Sequence, residues 1–211
     1  MTQRQLRQLL TNNPVESAAP YLLGAIIKTS IGSCQIVEVE AYSGSLDPGS
    51  HAYRGQTPRT KVMFGQAGHI YTYFTYGNHW MLNLTAHPED IAGAILIRAA
   101  IPLNNFETLF KNRPKAKSPK DLLSGPGKLC AAYHINSDHY GIDALTTNPI
   151  LEIIPAKNPK PYVQSTRIGL ASEKGDDYPW RFIDAENIEW ASNPKTHLKQ
   201  LNPQTPPPIL Q

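Results

Sequence analysis

The sequence is short of most features that place a chain in a class at sight. Its 211 residues hold two cysteines, Cys34 and Cys130. They form no CxxC motif and are too few for a disulfide framework, so two free thiols in a reducing cytosolic setting are expected. No apolar run approaches the ~20 residues that span a bilayer. The opening MTQRQLRQLL lacks the apolar segment of a secretory leader, and a cytoplasmic protein with no membrane partner is the expectation. Seven histidines are scattered at 51, 69, 79, 87, 134, 139 and 197. Neither an HExxH motif nor a Cys/His cluster is present, which leaves no support for a metal. The segment SGPGK at 124–128 misses the spacing of a nucleotide P-loop, and no cofactor is expected. Internal repeats and low-complexity domains are absent. Neither sign of charge dominates: 20 Lys and Arg against 17 Asp and Glu give +3. That mildly basic balance suits a polyanionic partner without requiring one.

What is present is a core and an unusual amount of proline. A hydrophobic content of 40% with 18% charged residues describes a folded, soluble chain. The 19 prolines, about twice average usage, predict many irregular connections that carry much of the function. The pattern predicts an α+β fold: one compact domain over 1–192, with a mostly antiparallel curved sheet flanked by helices and a protruding β-hairpin. The Pro-rich tail, 193–211, is expected to be poorly ordered.

Leu6, Leu9 and Leu10 have helical spacing over residues 3–10, and Thr11-Asn12-Asn13-Pro14 stops that helix. A second short helix is expected from Val15 towards Leu23, weakened by Pro20 and ended by Gly24. Residues 24–29 and 34–42 then read as adjacent antiparallel strands. In the second, alternation puts Ile36, Glu38, Glu40 and Tyr42 on one face. The two carboxylates are attached roughly 6.6 Å apart at ~3.3 Å rise per residue, close enough to influence one another or to act on one substrate. A plain solvent-exposed polar face is the competing reading.

The loop SGSLDPGSHAYRG, 43–55, would return His51 towards the end of that strand. Thr57-Pro58-Arg59 has the form of a helix start, with Thr57 as N-cap, leading to Phe64. With Arg54, Arg59 and Lys61 around it, such a terminus could hold a phosphate, or be an ordinary solvated cap. Residues 68–75 set Ile70, Thr72 and Phe74 against Tyr71, Tyr73 and Thr75, and residues 80–85 place Met81, Asn83 and Thr85 on one face. A turn at 76–79 joins them into a hairpin with Tyr76 at its tip. An exposed tyrosine there is either packed on a neighbouring loop or a wedge for a base stack.

GAILIRA, 93–99, reads as a central strand in which Arg98 is out of place unless paired or at the strand end. Glu40 is a candidate partner. A helix is expected over 104–112, followed by a basic, Pro-broken loop, RPKAKSPK. The helix LCAAYHI could present Lys128 and its backbone N–H groups to a phosphate. Residues 149–155 and 166–171 read as further strands.

Several motifs now occur in order: EAY at 40–42, DPGSHAYRG at 47–55, TPR at 57–59, MFG at 63–65, YTYFTYG at 71–77, Asn83, LIRA at 96–99, GPGKLC at 125–130, RIG at 167–169 and PWRF at 179–182. Over about 15–182 the chain resembles the alkyladenine (3-methyladenine) DNA glycosylase family, the methylpurine glycosylases. The resemblance implies a monofunctional DNA glycosylase that acts on damaged purines in double-stranded DNA as a monomer, in a nucleoid setting. It implies Glu40 as general base, Arg98 as its helper in placing the water, and Tyr42 and His51 on one face of a flipped base with Tyr73 on the other. Tyr76 would be the wedge, and Asn83 would crowd the exocyclic amino group of normal guanine. Arg54, Arg59, Lys61 and Lys128 remain candidates for the DNA backbone. Asn78, Thr60 and Gly49 depart from the family pattern of methionine, asparagine and alanine.

Two other readings stay open on the residues alone. A hydrolase of free nucleosides or sugars would use Glu38 and Glu40 as a carboxylate pair, and a non-catalytic module would use the tyrosines to stack bases.

Overall fold

One strand carries the architecture. β2 (Ser33–Tyr42) pairs along its length with β5 (Ala94–Pro102), from Cys34 opposite Pro102 to Tyr42 opposite Ala94. On its other edge the partner changes: β1 (Ile26–Thr29) takes the first part of β2, and β8 (Arg181–Asp184) takes Glu38–Glu40. The change falls at Val37, where the register against β5 slips, and a second slip leaves Arg98 without a partner residue on β2. Such bulges bend a strand and re-aim its side chains. Here they fork the sheet and turn Arg98 onto the two glutamates.

The computed structural model describes residues 1–88, 91–193 and 201–207. Its eight-stranded antiparallel sheet runs β3 (Ile70–Thr75), β4 (His79–Thr85), β5, β2, β1, β6 (Leu151–Ile154), with β7 (Tyr162–Ser165) joined to β8 on the branch. With helices packed on it, this is the α+β class anticipated. α1 (Gln3–Asn12) starts at a reciprocal cap: the Gln5 N–H donates to Thr2 Oγ1 at 3.2 Å, and the Thr2 N–H to Gln5 Oε1 at 2.8 Å. That arrangement satisfies two donors a helix start otherwise leaves free. Leu6 and Leu10 of α1, Leu22, and Leu129 and Ala132 of α5 (Pro126–Tyr133) meet Ile36, Val39, Ile95 and Ile97 of the sheet in one buried core. At about 1.5–3 kcal/mol per large apolar side chain buried, this face dominates the stability. A smaller cluster, Ala52, Met63, Tyr71, Ala92 and Ala94, holds the long loop 43–69 onto the base of the β3–β4 hairpin.

Several expectations need correcting. The helix begun at Val15 is α for four residues, Val15–Ala18, then tightens to a 3-10 turn at Ala19–Leu22, where Pro20 withholds a donor. Thr57 caps as anticipated, accepting from the Thr60 N–H at 3.2 Å. Beyond that cap the chain makes a turn and a 3-10 helix, Lys61–Phe64, so no α-helix terminus faces a phosphate there. Residues 166–171 form a loop instead of a strand, and the pairing falls on β7 and β8. Pro119 opens a short helix, α4 (Pro119–Leu123), inside the expected basic loop, ahead of which α3 spans Phe106–Asn112. Part of the C-terminal tail is docked: Gln204 exchanges backbone hydrogen bonds with Tyr162, and Tyr21 donates to the Pro207 carbonyl at 2.9 Å. The rest of the expected tail, 194–200 and 208–211, lies outside the described residues. Among those described, no helix is long and apolar enough to cross a membrane.

Candidate active site

Four strands and two loops converge on a cavity of about 350 Å³, at the small end of the range for ligand sites. Alternation supplies most of its wall. Tyr71, Tyr73 and Thr75 come from β3, Met81 and Asn83 from β4, Ala94, Leu96 and Arg98 from β5, and Tyr42 from the end of β2. Gly49 and His51 enter from loop 43–55, Met63 from the 3-10 turn, and Ile168, Gly169 and Leu170 from the loop after β7.

Glu40 lies fully buried behind this wall. Its Oε2 accepts from Arg98 Nη1 at 3.0 Å and from the Tyr42 hydroxyl at 2.8 Å, and its Oε1 from the Ile168 N–H at 2.7 Å. All three donors line the cavity. A carboxylate has about four acceptor sites, so roughly one remains for a water. Glu38 is equally buried and takes four donors: its Oε1 accepts from Arg98 Nε at 3.2 Å, Arg181 Nε at 2.7 Å and the Ser192 hydroxyl at 2.8 Å, and its Oε2 from the Ser192 N–H; neither Arg181 nor Ser192 lines the cavity. It is therefore not an ordinary exposed strand neighbour. Burial alone would lower the Arg98 pKa, but Glu40 and Glu38 outweigh it and the net shift is upward. The Tyr42 phenol is pushed well above its ordinary value by burial first and then by Glu40, so it keeps its proton and donates.

His51 lines the cavity and is exposed to solvent. Its Nδ1 is 2.9 Å from the Tyr71 hydroxyl, and Arg59 Nη2 lies 3.1 Å from both ring nitrogens. Burial by these neighbours, and then the Arg59 charge, lowers its pKa to about 4, leaving the imidazole neutral at neutral pH. His51 and Tyr73 meet edge to face with centroids 4.5 Å apart, which leaves no layer between them for a base. Tyr73 is fixed in a strand, whereas His51 rides on a loop. Asn83 is buried, its amide donating to the Tyr71 carbonyl at 3.0 Å.

Tyr76 is 79% exposed at the hairpin tip, with φ +52° followed by Gly77 at +68°. The left-handed region suits Gly77 and strains a bulky residue such as Tyr76. Strain of this kind is retained where function requires it.

The cations expected at the DNA backbone divide. Arg54 and Lys61 are exposed and form no ion pair among the described residues. Arg59 instead covers the aromatic wall, its guanidinium 5.0 Å from the Tyr73 centroid. Lys128 is paired with Asp121 and hydrogen-bonds Ser124 Oγ at 3.0 Å.

The sequence reading missed Asp47, Arg167, Arg181 and Ser192. Asp47 passed as a turn former in DPG, and Arg167 as one residue of an expected strand. Asp47, Arg167 and Arg181 stand in the motifs DPGSHAYRG, RIG and PWRF, which give them no role by themselves, and Ser192 stands in none; their contacts reach across the chain.

The family model for methylpurine-DNA glycosylase matches residues 9–188. Proteins carrying the name "Putative 3-methyladenine DNA glycosylase" are similar over most of their length. That of Burkholderia lata is 39% identical over 181 residues, 84% of this chain and 86% of its own. That of Nocardia farcinica is 38% identical over 184 residues, 84% of this chain and 85% of its own. That of Chlorobaculum parvum is 39% identical over 178 residues, 82% and 84% of the two chains. A fold that assembles the expected residues around one cavity, and a match that runs through all of them, lead to one conclusion: the chain belongs to the methylpurine-DNA glycosylase family.

Proposed function

We propose that residues 1–192 turn alkylated or deaminated purines, of the 3-methyladenine, 7-methylguanine and hypoxanthine class, out of duplex DNA and hydrolyse their N-glycosidic bond, leaving an abasic site. The observation that carries this reading is a buried carboxylate with one acceptor site to spare, directly behind an aromatic cavity. Glu40 takes a proton from a water held at that site and faces the oxocarbenium-like sugar as its counter-charge. Arg98, lining the cavity and bonded to Glu40, orients both carboxylate and water.

Tyr42 and His51 receive one face of the extruded base and Tyr73 the other, once His51 has moved off Tyr73. For a cationic alkylpurine the rings add on the order of 0.5–2 kcal/mol by cation–π attraction. The neutral imidazole adds no repulsion. Asn83, its amide anchored on Tyr71, crowds the exocyclic amino group of guanine, a cost that the attraction of the rings for a cationic 7-methylguanine offsets and normal guanine lacks. Tyr76 fills the gap in the stack, and damage lowers the few-kcal/mol cost of extrusion. Arg54 and Lys61, with Arg59 and Lys128 in supporting positions, meet phosphates. The protein acts as a monomer beside the nucleoid DNA, needing no cofactor.

A glycosidase-type pair acting on free nucleosides would need a second carboxylate able to exchange a proton, and Glu38 already has four donors. The test is to incubate the protein with duplexes carrying hypoxanthine or 7-methylguanine, treat with alkali, and map strand breaks. Breaks at the lesion are expected. Base release from a mononucleoside at a similar rate would favour the nucleoside hydrolase, and lesion binding without release a non-catalytic module.

A further inference from the structure

Beside Tyr42, and outside the lining of the cavity, lies a second pair of opposite charges that the proposed mechanism does not use. The Arg167 side chain is fully buried. Its Nη1 donates to Asp47 Oδ2 at 2.5 Å and to the Ala41 carbonyl at 2.9 Å, and its Nη2 to Asp47 Oδ1 at 2.8 Å and the Gly175 carbonyl at 2.9 Å. This is the bidentate fork that only a guanidinium offers a carboxylate. The guanidinium carbon stands 4.6 Å from the Tyr42 centroid, 5.3 Å from that of Trp180 and 5.7 Å from that of Tyr178.

Asp47, also fully buried, accepts from the Ser43 N–H at 3.2 Å and the Gly49 N–H at 2.9 Å. The pair thus ties together the end of β2, the loop that delivers His51, and the segment whose Ile168 N–H holds Glu40.

We infer that Arg167 and Asp47 are positioning residues that form a charge-neutral backing for Tyr42, and that this neutrality lets the site accept cationic as well as neutral purines. The inference rests on the stacking of the base on Tyr42 given above. Tyr42 engages the Arg167 guanidinium on one side and lines the cavity on another. A base stacked on the ring lies roughly 8 Å from the guanidinium. At that distance, in an effective dielectric of about 20, an unbalanced charge alters relative occupancy by an order of magnitude or more. Asp47 cancels it. Without Asp47, the stranded cation opposes a positively charged lesion and leaves a neutral one unopposed, because arginine does not give up its proton in a protein.

The experiment measures kcat/KM on two matched duplexes, one with 7-methylguanine, a cationic base, and one with hypoxanthine, a neutral one. Excision of both by the parent protein tests the proposed function. The ratio between them tests the inference. Asp47→Asn keeps the shape and removes the charge, and the 7-methylguanine to hypoxanthine ratio should fall about tenfold. Asp47→Ser, which leaves room for water beside the guanidinium, reads the same ratio should the asparagine variant not fold. In the double variant Asp47→Asn, Arg167→Met the charge is gone altogether, and the ratio should return to the parent value even where the overall rate stays low. A purely structural role lowers both substrates together and is not relieved by the second change. An unchanged ratio in the folded single variants, or a double variant that fails to restore it, overturns the inference.

Discussion

The floor of the cavity and its rim are built on opposite principles. The floor, Glu38, Glu40 and Arg98, is carried by adjacent strands, is almost wholly buried, and is held by ion pairs and hydrogen bonds from three separate parts of the chain. The rim, His51, Arg59 and Tyr76, stands on a loop and a turn, is exposed, and is held by edge contacts, a cation over a ring and a strained backbone. In the proposed mechanism the step that must position a water falls on the buried part. Recognition that must admit a base sits where side chains can give way. Within the floor a second contrast appears: every donor to Glu40 comes from a residue that lines the cavity, whereas Glu38 is bonded to Arg181 and Ser192, which do not.

The sharpest way to break this contrast is to exchange each glutamate for its amide. Glu40→Gln removes the base but leaves Arg98 its pairing to Glu38. Loss of general-base action costs about 10²–10⁴-fold, so single-turnover excision should fall by that much with lesion binding retained. Excision at the parent rate would show that the spare acceptor site is not the catalytic one. Glu38→Gln should lose more stability and less excision. It strands Arg181 and half of Arg98 in the interior, and breaking a buried pair costs roughly 3–5 kcal/mol. Thermal unfolding should shift down steeply, while the folded fraction still excises. Equal losses of activity and stability in both variants would erase the division between them.

Much of the floor was legible in the sequence, and the reasons are local. Period-two alternation puts Tyr71 and Tyr73 on one face of β3 and Met81 and Asn83 on one face of β4, and those faces line the cavity because β3 and β4 pair without a slip. Arg98 stood out as a charge in an apolar run, and the bulges explain how a central strand tolerates it. What alternation could not do was tell Glu38 from Glu40. Their difference comes from Arg181, Ser192 and Ile168, 143, 154 and 128 residues away. Sequence periodicity carries no information at that range. Residues 166–171 form no strand for a related reason: only Arg167 of the segment is buried, and its side-chain contacts, not a ladder of backbone bonds, hold it. The helix expected at Thr57 was misread because the cap is real but the turns after it are 3-10.

At the rim, Tyr76→Gly isolates strain from recognition. Glycine relieves the left-handed tyrosine, which costs about 1–2 kcal/mol, against the larger unfolded-state entropy of glycine, of roughly 0.5–1 kcal/mol. Stability should therefore stay level or rise by up to about 1.5 kcal/mol in denaturant titration, while affinity for lesion duplex drops. A variant that loses stability would mean that the tyrosine is held by packing, and the rim would then resemble the floor.

The smallest expected effect is the most diagnostic of how the rim works. His51 has its pKa lowered from 6.5 to about 4, by burial first and by Arg59 second. The folded protein therefore binds this proton more weakly than the unfolded chain. Its contribution to stability is complete above about pH 6.5 and is lost as the pH falls towards 4. Because His51 is exposed to solvent, the change should be slight in a melting curve and clear in the proton resonances of the imidazole, whose midpoint is expected near pH 4. Arg59→Gln removes the cation but not the crowding, so the midpoint should move up part of the way towards the ordinary value. A parent midpoint near 6.5 would place His51 in open solvent, without the crowding by Tyr71, Tyr73 and Arg59 that keeps it neutral. The imidazole would then begin to charge within the physiological range and repel cationic purines, and the rim would discriminate between lesions by pH where the structure has it indifferent.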